Sequence, residues 1–306
     1  MNKVIARAIR ALTSLFHQDT RDLFKARQPA EVSLPVETAA TVDRLKARYS
    51  IDVTVPSEPV FAGLEHGQYL TSIEGQPATS EEAIWYIPLF AEEFGLYPPL
   101  LVHKTELTRV VLCGELFRSQ KPKPGMERVN VGYALDCEPL SFVHAPCGGI
   151  PDGGNGVLYL SVTWERDDED YVRKLIHHEF YHCVQRRQFG GFGDRGWAAL
   201  NSPGFAYGPG GVAVNHGPDQ TFWVMPAEEW GNGFLNQYSM SAPEEDQAEI
   251  FAHLLIEPAR LEARLRVDDI LRSKVERLKA SLERFCRDMD EGFWRRVEES
   301  RWPYGL

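Results

Sequence analysis

Val172-Arg173-Lys174-Leu175-Ile176-His177-His178-Glu179-Phe180-Tyr181-His182-Cys183-Val184 is the stretch that decides how this 306-residue chain is read. On a helix, residues four apart lie one turn apart on one face. His178 and His182 therefore project side by side, and their imidazoles can converge on one cation. Glu179 lies just beside that pair, within reach of a water held there. Val172, Ile176, Phe180 and the Cys183 and Val184 pair make an apolar stripe for a core. Leu175, His178 and His182 make the adjacent stripe, facing a cleft. The acidic run Asp167-Asp168-Glu169-Asp170 suits a helix N-terminus, where carboxylates meet unpaired backbone N–H groups. With Gly190-Gly191 as a stop, a helix is expected over about residues 168–188.

Upstream, Gly156-Val157-Leu158-Tyr159-Leu160-Ser161-Val162 is the clearest strand, entered from a Gly/Pro-rich turn over 147–154. Strand-like segments also fall at 107–116, 128–135 and, briefly, 51–55. Helices are expected over 36–49 and 79–94, the second with Thr79-Ser80-Glu81-Glu82 offering its caps. Downstream, residues 190–237 are rich in Gly and aromatics and lack helical periodicity. Ser241-Ala242-Pro243-Glu244 matches a capping box with proline in the first turn of a helix over about 242–257. Residues 258–301 read as helical, with Leu271, Val275, Leu278, Leu282 and Phe285 on one stripe. The pattern gives an α+β fold: a helical N-terminal extension over 1–35 and a catalytic domain over 36–306.

Bulk properties narrow the function. A formal net charge of -11 argues against nucleic acid, which needs a basic surface. No apolar run approaches the ~18 residues of a membrane span. Met1 to Leu15 reads as an amphipathic helix, and no secretory signal peptide is recognisable. That leaves a cytoplasmic location or export by another route. Five cysteines at irregular spacing give no disulfide framework, although Cys137 and Cys147 flank a loop and could pair.

A hydrolytic zinc site needs a third protein ligand and a position left for water. In the 242–257 helix, Ala248, Phe251, Ala252 and Leu255 form a core face, and Glu245, Glu249 and His253 lie along a neighbouring stripe. A carboxylate from that stripe is well placed to turn inward.

Together, the strand at 156–162, the His178 to His182 helix, and a tyrosine ahead of Ala248-Glu249-Ile250-Phe251-Ala252 resemble the zincin fold in its glutamate-liganded branch, the gluzincins. The chain is similar to peptidases related to anthrax lethal factor and to zinc-binding bacterial metallopeptidases, over about Leu107 to Leu255. The resemblance implies one Zn2+ per chain held by His178, His182 and Glu249, with Glu179 as general base and Tyr238 as oxyanion donor. It also implies an acidic residue one turn after the glutamate ligand to orient a histidine. Here that place holds His253, so Glu245 or Asp246 is left to supply the carboxylate. The expected function is zinc-dependent hydrolysis of a polypeptide substrate. The alternative is an inactive zinc- or peptide-binding protein on the same scaffold, against which the intact Glu179 argues.

Other candidates have plainer readings. Tyr181, Tyr207 and His216 compete with Tyr238 as donors. His177 is expected on another side of the helix, as a supporting or surface residue. Cys183 falls on the core face as a packing residue. The aromatic stretch around Trp197, Phe205, Tyr207, Phe222, Trp223 and Trp230 either covers substrate or tucks under itself.

Overall fold

A computed structural model describes residues 30–66, 69–122, 143–190, 193–208 and 232–301. The expectations for the N-terminal helix, the 128–135 strand, Cys137, His216, Phe222, Trp223 and Trp230 lie outside the described residues.

In chain order the elements are α1 (Val36–Tyr49), β1 (Asp52–Thr54), β2 (Val60–His66), β3 (Tyr69–Pro77), α2 (Ser80–Phe94), α3 (Pro99–Thr105), β4 (Arg109–Pro122), β5 (Val143–Pro146), β6 (Gly149–Asp152), β7 (Val157–Ser161), α4 (Glu169–Phe189), α5 (Pro243–Ile256), α6 (Pro258–Leu265), α7 (Asp269–Phe285) and α8 (Glu291–Arg301). Short 3-10 turns fall at Ala198–Leu200 and Tyr238–Met240. The fold is α+β, with a seven-stranded mixed sheet.

β4 organises the sheet. Its first half pairs in parallel with β1 on one side and β7 on the other. Its second half pairs antiparallel with β3 and with β5. β6 closes one edge antiparallel to β7. The alternation along β4 separates two cores. Val110 and Leu112 join Leu158, Leu160, Phe90, Phe94, Phe180 and Phe251 on the helical face. Val111 and Cys113 join Ile73, Leu116, Ile150 and Tyr159 on the other.

α2 starts in the expected capping box: the Thr79 side chain accepts from the Glu82 N–H, and Glu82 accepts from the Thr79 N–H. α4 is capped by Asp168, whose carboxylate accepts from the Tyr171 N–H. It ends at Gly190, with φ of 62°, in the left-handed region that glycine enters without a Cβ penalty.

Two expectations need correction, and one pair of strands comes without any expectation. The 147–154 turn contains strand β6, which its antiparallel pairing with β7 defines. β2 and β3, for which no element is expected, pair antiparallel from Val60 opposite Gly75 to His66 opposite Tyr69. The Ser241 capping box does not form: Ser241 still has helical φ and ψ from the preceding 3-10 turn, so Ala242 becomes the N-cap and no side chain caps α5. Pro243 sits in the first turn as expected. The C-terminal region is helical in three pieces, and Leu271, Val275, Leu278 and Leu282 are buried in the main core.

Candidate metal centre

α4 and α5 pack side by side beneath the sheet. The core stripe of α4 is fully buried through Val172, Ile176, Phe180 and Val184, and that of α5 through Ala248, Phe251, Ala252 and Leu255. Burying these stripes fixes the rotation of both helices and turns His178, His182 and the glutamates of α5 toward one another.

His178 Nε2 and His182 Nε2 lie 3.2 Å apart. Glu245 Oε2 lies 3.1 Å from the first and 3.3 Å from the second. His178, His182 and Glu245 are the group that could hold a metal ion among the described residues. Four ligands arranged tetrahedrally about zinc at about 2.0–2.1 Å stand roughly 3.3 Å apart, so this spacing suits that ion.

Glu249 occupies a different place. Its Oε1 lies 2.9 Å from His178 Nδ1, the nitrogen on the far side of the ring, although the angle is outside that of a formed hydrogen bond. Its Oε2 accepts from Asn236 Nδ2 at 2.6 Å and pairs with Lys174 Nζ at 3.4 Å. The sequence-based expectation set Glu249 as ligand and left Glu245 or Asp246 for support; it is Glu245 whose carboxylate stands within 3.3 Å of both Nε2 atoms.

Electrostatics agree with a cation site. Burial alone would lower the His178 pKa, but the hydrogen bond to Glu245 and the close carboxylate charges of Glu249 and Glu245 outweigh it and push it up to about 10. His182 is raised in the same way by Glu245, against burial. Burial would raise Glu245 and Glu249, yet His182 and His178 hold Glu245 well below the carboxylate range. Lys174 and His178 do the same for Glu249. Such a concentration of negative charge on two imidazoles favours a positive species between them.

Glu179 sits against the sheet edge. A Cβ built on Gly149 of β6 would lie 2.5 Å from Glu179 Cγ, so glycine is needed for that approach. Burial raises its pKa, opposed by His178 and His182. Tyr238, in the 3-10 turn before α5, has its ring 5.8 Å from that of His178. Burial, then the charge of Glu245, raise its pKa well above the tyrosine value, so it stays protonated.

The competing candidates are drawn elsewhere. The Tyr207 hydroxyl donates to Asp246 at 2.6 Å, and that of Tyr181 to Gln247 at 3.0 Å. Trp197 is fully buried and donates to Asp246 at 2.8 Å, so this part of the aromatic segment tucks inward. Asp246 also pairs with Lys274 at 2.8 Å, both completely buried. Cys183 is buried in the core.

His177 is fully buried, neither on the surface nor beside the cation site. Its Nε2 donates to Glu93 at 2.8 Å and its Nδ1 accepts from the Tyr97 hydroxyl. Glu93 also receives Arg173 and Arg301, which ties α2, α4 and α8 together. Asn236, Lys174 and Glu93 escaped sequence reasoning. Lys174 alone left a trace, four residues before His178.

No protein-family model matches the chain, and a search of curated proteins finds no match. Among solved structures, it is similar to a Bacteroides caccae protein provisionally described as a zinc-binding metallo-peptidase. The two are 18% identical with a TM-score of 0.48, over 88% of this chain and 94% of that one. At that distance the likeness assigns no residue a role. No described helix is long and apolar enough to cross a membrane.

Proposed function

We propose that the chain is a zinc-dependent peptidase of the gluzincin type, holding one zinc ion through His178, His182 and Glu245. The observation that carries this reading is the 3.1–3.3 Å cluster of two imidazole nitrogens and one carboxylate oxygen, beside the half-buried Glu179. Glu249, expected as the ligand, serves instead as the carboxylate behind His178. Its charge favours a proton on Nδ1, which leaves Nε2 free to bind. Counting from Glu245, the acidic residue one turn later is Glu249 itself, so the gap at His253 closes.

When bound, zinc polarises the scissile carbonyl and makes its water more acidic. The remaining work falls to the chain. Glu179, packed against Gly149 with a raised pKa, accepts the proton of the attacking water and passes it to the leaving amine. Tyr238 stays protonated beside His178 and donates to the oxyanion. Asn236 and Lys174 hold Glu249, which in turn holds His178.

The test is cleavage of a pooled peptide library, read by mass spectrometry. The zinc-loaded protein should cut, the chelated protein should not, and zinc should restore cutting. Glu179→Gln should keep zinc and lose about 10² or more in rate. Cleavage that survives Glu179→Gln would refute the mechanism. Zinc binding with no cleavage would favour the inactive, peptide-binding alternative.

A further inference from the structure

Lys274 on α7 is completely buried, and a lysine is rarely withdrawn from water unless its charge is paired. Its ammonium reaches two separate stretches of chain. On one side it pairs with Asp246 Oδ2 at 2.8 Å, and on the other it donates to the Gly233 carbonyl at 2.7 Å. It also stands 3.6 Å from the centre of the Phe234 ring, whose π face attracts a cation. Several N–H donors on one nitrogen let a single side chain hold both stretches at a fixed spacing. An apolar side chain of the same volume fills the space without that hold.

Both stretches lead to the metal centre. Asp246 directly follows Glu245, whose carboxylate faces both Nε2 atoms. Glu245 lies in the first turn of α5, which no side chain among the described residues caps. The first N–H groups of a helix have no partner within it, so an uncapped first turn is weakly held by local bonds. Here the hold comes from outside: Lys274, Trp197 and Tyr207 all meet one oxygen of Asp246. The other stretch runs from Gly233 to Asn236, which donates at 2.6 Å to Glu249, the carboxylate behind His178. Asn236 also accepts from the N–H and the hydroxyl of Ser239, the neighbour of Tyr238. Gly233 permits the close approach to α7: its φ is 87°, and a Cβ there would lie 2.3 Å from Ile270 Cγ2.

We propose that Lys274 is a positioning residue of the metal centre: through Asp246 and Gly233 it sets where Glu245 and Asn236 stand, and so how the two carboxylates meet His178. α7 then belongs to the site, although it lies beyond the stretch of sequence that carries the motif. This rests on the zinc-binding part of the reading above and not on peptide cleavage.

The experiment compares the full-length wild type, Lys274→Met, and Lys274→Met combined with Asp246→Asn. The single change leaves a buried carboxylate without its cation. Adding Asp246→Asn removes that charge, while the amide oxygen still accepts from Trp197 and Tyr207. Competition with a chromophoric chelator gives the zinc constant, at a temperature where circular dichroism shows each measured variant folded. Lost stability alone then leaves that constant unchanged. The absorption bands of the cobalt(II)-loaded proteins report the ligand geometry separately. Lys274→Met should bind zinc about tenfold more weakly than the wild type, with altered cobalt bands. The double variant should regain melting temperature in the zinc-free state but not zinc affinity, and it decides alone where the single variant does not fold. Wild-type zinc constants and cobalt bands in a folded variant would overturn the inference, as would affinity that recovers in step with stability. A wild type that binds no zinc would reject the metal site and the inference with it. Lys274-dependent zinc binding with no peptide cleavage would sustain the inference and reject the peptidase.

Discussion

Glu249 lies behind His178, with Oε1 2.9 Å from Nδ1, whereas Glu245 lies in front of it, with Oε2 3.1 Å from Nε2. One helical turn separates the two carboxylates, yet they face opposite nitrogens of one ring. The same ring thus meets a carboxylate on both sides, which in the proposed function are a partner for its proton and a fellow zinc ligand.

The two glutamates should accordingly fail differently. Glu245→Ala removes a ligand and should abolish stoichiometric zinc retention after dialysis against a mild chelator. Glu249→Ala removes a supporting carboxylate and should weaken zinc by about 10–100-fold without abolishing it. Competition titrations with a chromophoric chelator give both constants. The reverse order would restore Glu249 as the ligand.

Tyr238→Phe should lower kcat with little change in KM and no loss of zinc. A donor used mainly in the transition state contributes roughly 2.7–4 kcal/mol, or about 10²–10³ in rate. Steady-state kinetics on any peptide found in the library screen would measure the split. An effect confined to KM would make Tyr238 a substrate contact.

The motif itself, its helix, both helix ends and the buried stripes were legible because helical periodicity and capping are local. That His178 and His182 converge follows from spacing alone. Glu245 and Glu249 could not be ranked that way, since residues four apart share a stripe. Only packing decides which one faces Nε2, and Asn236, thirteen residues upstream, helps by engaging Glu249. Strand β6 was hidden for a related reason: a four-residue edge strand containing Gly149 and Pro151 has a turn's composition, and pairing with β7 defines it. Burial of His177 was equally unreadable, because its partners Glu93 and Tyr97 come from α2 and the chain just after it.

Acid should weaken the fold through Glu93. Burial would raise this carboxyl, but hydrogen bonds from His177 and Arg301 hold it down to about 2, against an ordinary 4.5. A depressed pKa stabilises the fold above about pH 4.5, and that contribution is lost as the pH falls toward 2. Glu93→Gln should cost about 3–5 kcal/mol near neutral pH, by leaving buried cations unpaired. Its stability should then change less than that of the wild type between pH 5 and pH 2. Urea unfolding across that range measures both; parallel curves would mean that Glu93 does not titrate as described.

Lys274 and Asp246 join α7 to α5 just beyond Glu245, both completely buried. Lys274→Met leaves a buried carboxylate supported, among the described residues, by Trp197 and Tyr207, and should destabilise by about 3–5 kcal/mol. Thermal unfolding of the zinc-free proteins measures the difference free of metal linkage. A melting temperature equal to that of the wild type would show the pair to be replaceable.

The central claim is the ligand set, and an anomalous-difference map at the zinc edge, from crystals grown with one equivalent of zinc, tests it most directly. The account predicts one peak per chain, bonded to His178 Nε2, His182 Nε2 and a Glu245 oxygen at about 2.0–2.2 Å, with Glu249 outside bonding distance. No peak between the two histidines, or one bonded to Glu249 in place of Glu245, would contradict it.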